Sequence, residues 1–162
     1  MYPSLFRLSE TKKLRLKWVG LISTESYTAE EQEKIRVGIE QYNAYPVFVD
    51  KKVLDDFTSY YDSVVSPVFH NFISYKKNAS ARNAELLQSY RVVNKCFVEA
   101  VLTLYKKEPK AIVLFNDPYF LLAPKLVPEM ENLHMGYFFH SPFPSCEIFR
   151  IFPSAHEVSH GC

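Results

Sequence analysis

Two short runs of almost purely apolar and aromatic residues constrain the fold more than any other feature of the chain. The first is Ala111-Ile-Val-Leu-Phe115 and the second is Met135-Gly-Tyr-Phe-Phe139. Runs of this length without polar alternation are typical of strands that are buried on both faces, as in parallel sheets. We therefore predict two parallel strands that are covered on both sides.

The rest of the chain alternates between strand-like and helix-like segments. Apolar residues recur every three or four positions from Ala81 to Lys106, which predicts a long amphipathic helix that ends before Pro109. The other predicted elements are a strand over 13–22, a helix from the Thr28–Glu31 capping box to about Tyr42, a strand over 45–49, a helix over 53–64 that stops before Pro67, a broken helical segment over 118–131 and a short helix over 145–152, with Ser145 as its cap. This order predicts an α/β fold with a doubly wound, mostly parallel sheet.

Polar residues follow directly after both apolar runs. Asn116-Asp117 comes after the first run and His140-Ser141 after the second. Ligands of doubly wound folds bind outside the carboxyl ends of the strands, so a carboxylate and an imidazole at neighbouring ends form a candidate site. From the pattern alone, an Asp117 that caps the next helix and a His140 that belongs to the core are the favoured alternative.

Composition excludes several classes of function. The chain has four glycines, no two of them close together, which excludes a P-loop and a dinucleotide loop. A net charge of +1 with dispersed basic residues does not indicate nucleic acid as a partner. The longest apolar runs are too short for a membrane span, and the start lacks the apolar segment of a signal peptide. We expect neither nucleic acid nor membrane as a partner.

Cysteine usage indicates the compartment. Three widely spaced cysteines, an odd number, predict reduced thiols and a cytoplasmic protein; they are Cys96, Cys146 and Cys162. Cys96 falls in the long helical pattern, where a cysteine acts as a small core residue.

A match to a metalloprotease motif occurs at His156-Glu157-Val158-Ser159-His160. In a helix, this H-E-x-x-H spacing places two imidazoles on one face as zinc ligands. Gly161 would end such a helix at once, and the chain offers no downstream third ligand of the usual kind. We therefore predict no metal site and keep zinc only as the last alternative.

One long stretch of the chain resembles a known family. Residues 136–153, Gly136-Tyr-Phe-Phe-His-Ser-Pro-Phe-Pro-Ser-Cys-Glu-Ile-Phe-Arg-Ile-Phe-Pro153, resemble the G-F-F-L-H-x-P-F-P-S-x-E-I-F-R-x-L-P stretch of trehalose-6-phosphate synthases, with a serine after the histidine as in eukaryotic, plant-type members. Shorter segments resemble further motifs of that family in the same order: Lys17-Trp-Val-Gly20, Pro67-Val-Phe-His70, Tyr90-Arg-Val-Val-Asn-Lys-Cys-Phe-Val-Glu-Ala100, Ile112-Val-Leu-Phe-Asn-Asp117 and Leu121-Leu-Ala-Pro124.

The resemblance implies a retaining glycosyltransferase of the two-domain GT-B type that acts in trehalose biosynthesis. Such enzymes transfer glucose from UDP-glucose to glucose-6-phosphate, giving trehalose-6-phosphate and UDP, without a metal or other cofactor. Residues 1–162 would be a single incomplete, N-terminal, acceptor-side Rossmann-like domain with a divergent tail at 154–162. Asp117 lies at the position of the family's acceptor-contacting aspartate, and His140 at that of its active-site histidine near the transferred glucose.

The sequence also departs from the family's pattern. Phe57 stands where the family has an acceptor-binding tyrosine, and Ser66 where it has a tryptophan. Asn116 and Pro118 replace the histidine and tyrosine that flank the family's aspartate. Because the donor-binding domain and the glycine-rich loop are not among these 162 residues, we expect no transfer by this chain alone. The alternatives are a non-catalytic regulatory or complex-forming paralogue that binds a longer synthase subunit, and an incomplete gene model with an aberrant tail.

Overall fold

The computed structural model describes residues 7, 15–23, 27–72, 81–128, 132–150, 152 and 155. The chain divides into two compact units, residues 1–48 and residues 49–162. Strands and helices alternate along the described residues, which confirms the α/β class. The H-E-x-x-H segment and Cys162 lie outside the described residues.

The first unit joins two strands through one helix. β1 comprises Trp18–Ser23, α1 comprises Ala29–Glu40 and β2 comprises Ala44–Val49. β1 and β2 hydrogen-bond to each other in a two-stranded sheet. The strand that was predicted over 13–22 therefore begins later than expected, because residues 15–17 lie outside β1.

Both hydrogen bonds of the predicted capping box form at the start of α1. The Thr28 N–H donates to Glu31 Oε2 at 2.8 Å, and the Glu31 N–H donates to Thr28 Oγ1 at 3.3 Å. These bonds satisfy two backbone donors that the first turn of a helix leaves without an intrahelical partner. Further along α1, the Arg36 guanidinium lies over the ring of Tyr45, 5.0 Å from its centroid, and so contacts β2 by a cation–π interaction.

The second unit opens with a helix that contains a wider turn. α2 comprises Lys51–Tyr60, a π-helical turn follows over Tyr61–Val65, and α3 comprises Ser66–Phe69. The prediction that the helix stops before Pro67 is wrong. The Ser66 N–H bonds back five residues, to the Tyr61 carbonyl, which restarts the hydrogen-bond pattern and leaves Pro67 in the first turn of α3, where no N–H is needed.

The long helix α4 comprises Ala81–Lys107, as predicted, and forms the core together with α2. Its predicted apolar stripe is buried, with exposed fractions of 7% or less for Leu86, Tyr90, Val93, Phe97 and Val101. Burial of these side chains removes apolar surface from water and thereby stabilises the second unit. Cys96 is only half-buried, between the core and the surface.

Two parallel strands complete the architecture, as the apolar runs predicted. β3 (Ile112–Asn116) pairs with β4 (His134–Phe138), with Ile112 opposite His134 and Asn116 opposite Phe138. On one face of this pair, Phe115 is buried in a cluster with Val98 of α4 and with Ala123. The described strands thus form two separate two-stranded sheets, β1–β2 and β3–β4.

The prediction that both faces of these strands are covered is wrong for the described part of the chain. On the outer face, Ile112 is 75% exposed, Leu114 46% and Phe138 42%. An apolar run shows that both faces of a strand are apolar, but it carries no information about whether a second layer covers them. The outer face is a contiguous apolar surface around the Leu114–Gly136 pair.

Short helical turns connect and follow these strands. A 3₁₀ turn spans Asp117–Phe120, α5 comprises Ala123–Leu126 and α6 comprises Cys146–Phe149. The predicted broken helix over 118–131 is thus two short pieces, and Pro124 opens α5 rather than ending it. The predicted cap of α6 is confirmed, because Ser145 Oγ accepts from the Ile148 N–H at 3.5 Å.

Candidate functional site

Asp117 and His140 meet at the carboxyl ends of β3 and β4. Because the two strands are parallel and adjacent, their last residues lie side by side at one edge. The His140 N–H donates to Asp117 Oδ1 at 2.9 Å, and His140 Nε2 lies 3.8 Å from Asp117 Oδ2. The structure therefore brings together the two residues that the sequence singled out.

Neither alternative interpretation of these residues describes their contacts. Asp117 opens the 3₁₀ turn, but its carboxylate bonds to the His140 N–H, and the turn has no side-chain cap. The His140 side chain is 46% exposed, so it is not a core histidine. The Asp117 side chain is 27% exposed, so a ligand can reach both side chains.

The backbone of Asp117 is in the left-handed conformation, with a φ of 59°. Residues other than glycine adopt this region rarely, although aspartate and asparagine tolerate it better than most. Such a conformation persists only where surrounding contacts fix it. At Asp117 its own carboxylate supplies one of these contacts, by binding the N–H of His140.

Two tyrosines beside Asp117 were not singled out from the sequence. The rings of Tyr61 and Tyr119 stack at a centroid distance of 3.8 Å and an angle of 14°. Burial raises the pKa of Tyr61, and a hydrogen bond with Tyr119 and the charges of Tyr119, Asp117 and Asp62 raise it further. Tyr61 therefore stays a neutral hydroxyl at physiological pH, able to donate and accept hydrogen bonds.

Only one part of this pair left a signal in the sequence. Tyr119 is two residues from Asp117 and is 37% exposed, so its proximity to the site was open to inference. Tyr61 left none, because it lies at the end of α2, more than fifty residues before Asp117 in the chain, and no local pattern relates the two.

The departures from the resembled pattern have distinct structural settings. Phe57 is 4% exposed and stacks on Tyr90 at 5.6 Å, so it belongs to the core. Ser66 begins α3. Asn116 Oδ1 is buried, and no described residue donates a hydrogen bond to it. Pro118 is buried, and its carbonyl accepts from the Tyr90 hydroxyl at 2.7 Å.

Within the described ranges, the side chains do not suggest a metal centre. No group of three or more histidine, cysteine, aspartate or glutamate residues is arranged to hold a metal ion in that part of the chain. None of the described helices is both long and apolar enough to cross a bilayer. The site is thus defined by Asp117, His140 and the tyrosine pair.

An α/β protein with a carboxylate and an imidazole at adjacent strand ends has the arrangement of a ligand-binding α/β domain. The sequence model of glycosyltransferase family 20 matches residues 2–162, so the chain belongs to that family. It is 29% identical to UDP-forming alpha,alpha-trehalose-phosphate synthase 1 of Aspergillus niger, over 87% of this chain and 27% of that protein.

Two yeast relatives extend this similarity over more of the chain. The UDP-forming alpha,alpha-trehalose-phosphate synthase of Schizosaccharomyces pombe is 27% identical over 95% of this chain and 30% of its own length. The 56 kDa subunit of the Saccharomyces cerevisiae enzyme is 25% identical over 93% of this chain and 30% of its own length. The chain thus spans less than a third of the length of these curated relatives.

Proposed function

We propose that this chain forms the acceptor side of a trehalose-6-phosphate synthase site. The proposed reaction transfers glucose from UDP-glucose to glucose-6-phosphate and releases UDP. Asp117 is the proposed substrate-binding residue and His140 the proposed catalytic residue. The observation that carries the proposal is their contact at the carboxyl ends of two parallel strands, in a chain that belongs to glycosyltransferase family 20.

The chemistry of the two side chains suits a sugar ligand. Asp117 Oδ1 accepts a hydrogen bond from the His140 N–H, which leaves Oδ2 to accept a hydrogen bond from a hydroxyl of the sugar acceptor. The half-exposed imidazole of His140 can hold a second hydroxyl near the anomeric carbon. The neutral hydroxyl of Tyr61 would add a donor beside the carboxylate, with the stacked Tyr119 next to it.

The proposal includes the finer architecture. We assign residues 1–162 to one incomplete, Rossmann-like N-terminal domain of a GT-B fold, with a divergent tail at 154–162. The parallel β3–β4 pair with an intervening helical connection supports this assignment, and so does the family match over residues 2–162. We also propose a cytoplasmic location, supported by the free thiols of Cys96 and Cys146.

Binding of glucose-6-phosphate to the 162-residue chain tests the proposal. Titration is followed by NMR or calorimetry for the wild type, Asp117→Asn and the control Asp55→Asn. Asp55 is an exposed carboxylate that pairs with Lys51 on α2. We expect Asp117→Asn to weaken binding about tenfold or more, the loss typical of a charge-assisted hydrogen bond, and the control to leave it unchanged. An absence of binding by the wild type at millimolar ligand would refute the proposal.

A second candidate function is that of a non-catalytic, complex-forming module whose partner is a longer synthase subunit. The outer face of β3–β4 favours it, because an exposed apolar surface of this kind marks an interaction site. Co-sedimentation with a purified full-length family member tests it. Leu114→Lys should abolish association, whereas Val37→Lys, at an apolar position 63% exposed on α1, should not. Equal association of both variants would count against this candidate.

A further inference from the structure

Two buried side chains of α4 hold the segment that follows Asp117. Tyr90 and Asn94 lie one helical turn apart, and both are 0% exposed. The Tyr90 hydroxyl donates to the Pro118 carbonyl at 2.7 Å and accepts from the Leu121 N–H at 3.2 Å. A single hydroxyl thus binds both a backbone acceptor and a backbone donor of the 3₁₀ segment.

Asn94 binds the same segment one residue further along. Its Nδ2 donates to the Tyr119 carbonyl at 3.1 Å and to the Tyr90 carbonyl at 2.8 Å, and its Oδ1 accepts from the Leu122 N–H at 3.2 Å. Both donors of the amide nitrogen and one acceptor position of its oxygen thus bind backbone groups. Because these bonds are shielded from water, breaking one leaves a buried polar group without a partner.

We propose that Tyr90 and Asn94 are positioning residues that fix Asp117 in its left-handed conformation and thereby aim its carboxylate. The segment they bind begins at Pro118, immediately after Asp117, so the backbone of Asp117 cannot rotate without breaking these bonds. The side chain of Asp117 is held as well, because its carboxylate accepts a hydrogen bond from the His140 N–H. The effect on a bound sugar rests on the function proposed above, whereas the effect on the backbone does not.

α4 itself offers a matched control. Tyr105 is 5% exposed, and its hydroxyl donates to the Asn132 carbonyl at 2.8 Å. It is thus close to Tyr90 in burial and in the length of its bond to a backbone carbonyl, whereas the Tyr90 hydroxyl also accepts from the Leu121 N–H. It differs in location, because it binds the chain before β4 rather than after β3.

Hydrogen exchange of the His140 amide, measured by NMR on the 162-residue chain, tests the positioning role. Tyr90→Phe removes only the hydroxyl and keeps the ring contacts with Phe57 and Tyr60. We expect Tyr90→Phe to accelerate exchange of the His140 amide about tenfold relative to Tyr105→Phe at a similar unfolding midpoint. Equal exchange of this amide in the two variants would overturn the proposal.

Asn94→Ala provides a second variant if Tyr90→Phe does not fold. It should accelerate hydrogen exchange of the His140 amide in the same way. Unchanged exchange of this amide in a folded Asn94→Ala protein would also overturn the proposal. Titration with glucose-6-phosphate then separates the two hypotheses. Weaker binding by Tyr90→Phe but not by Tyr105→Phe supports both. If the wild type binds no glucose-6-phosphate, the proposed function fails, and the exchange experiment still decides the positioning role.

Discussion

Asp117 has an unfavourable backbone conformation that a hydrogen bond of its own side chain helps to stabilise. Its φ of 59° is unfavourable for a residue with a Cβ atom, and its carboxylate binds the N–H of His140 across the strand ends. Truncation of this side chain therefore has two opposite effects. Replacement by alanine or by glycine removes the hydrogen bond, whereas only glycine also removes the Cβ atom and with it the steric cost of the left-handed backbone.

Comparison of Asp117→Ala with Asp117→Gly isolates the steric term. Both variants lose the same hydrogen bond, but only alanine keeps a Cβ atom in the left-handed region. We predict that the alanine variant has a free energy of unfolding about 1 kcal/mol lower than that of the glycine variant. Urea denaturation followed by circular dichroism measures this difference. Equal stability, or a more stable alanine variant, would show that residue 117 is not left-handed in solution.

For single residues, the sequence predicts which side chains lie close together more readily than it predicts their backbone conformation. The meeting of Asp117 and His140 was predictable because residues that follow adjacent parallel strands must lie at one edge. The left-handed backbone of Asp117 was not predictable, since it depends on bonds from Tyr90 and Asn94, which are more than twenty residues away along the chain. The approach of Tyr61 to Asp117 was likewise not predictable, since it brings together two residues that are far apart along the chain.

At the scale of elements, the start of α1 has a pH dependence whose sign follows from its hydrogen bonds. The backbone N–H and the hydroxyl of Thr28 both donate to the Glu31 carboxylate and lower its pKa. A carboxylate whose pKa is lower in the folded than in the unfolded state stabilises the fold above its unfolded pKa. That stabilisation is lost as the pH falls through the folded pKa.

Thr28→Ala should therefore destabilise the protein by about 1 kcal/mol near neutral pH, the usual cost of a lost N-cap. The difference from the wild type should shrink as the pH falls below the ordinary range of a glutamate, because protonation of Glu31 weakens the bond from the Thr28 hydroxyl, which the alanine variant lacks. Denaturation at a series of pH values checks this. Thr28→Ser keeps the cap and serves as the control; a Thr28→Ala deficit that stays constant at acid pH would contradict the prediction.

Polar substitutions on the two faces of β3 should have different effects on stability. Val113 packs on the inner cluster, whereas Leu114 is 46% exposed on the outer face. Val113→Thr places a hydroxyl among apolar groups and should cost about 1–2 kcal/mol of unfolding free energy. Leu114→Thr should change it by no more than about 0.5 kcal/mol. Equal costs in urea denaturation would show that both faces are covered.

The elements themselves were largely predictable, and the misses have physical causes. α4 and the capping box follow from local periodicity and hydrogen-bonding chemistry. The end predicted before Pro67 failed because a π turn restarted the helix, and proline is tolerated in a first helical turn. The burial predicted for the outer face of β3 failed because coverage depends on other parts of a fold, which a local run of residues does not reveal.

At the scale of the whole molecule, the family match covers residues 2–162, yet the chain spans only 27% of the Aspergillus niger relative. Sugar transfer requires donor and acceptor to be held together in reactive geometry, which accounts for a large part of the catalytic effect. The 162 residues contain four dispersed glycines, so they hold no clustered-glycine loop to cradle the phosphates of a sugar nucleotide. Under the proposed function, the chain would thus supply contacts to the acceptor but no clustered-glycine loop for the donor.

We therefore predict that the 162-residue chain binds glucose-6-phosphate without turning it over. Incubated with UDP-glucose and glucose-6-phosphate, it should release no more UDP than the His140→Ala variant, because it has no clustered-glycine loop to hold the donor opposite Asp117 and His140. A coupled assay for UDP measures this, and a purified full-length family member serves as the positive control. Release of UDP above the His140→Ala background would show that these residues assemble both halves of the site, for example by association of two copies.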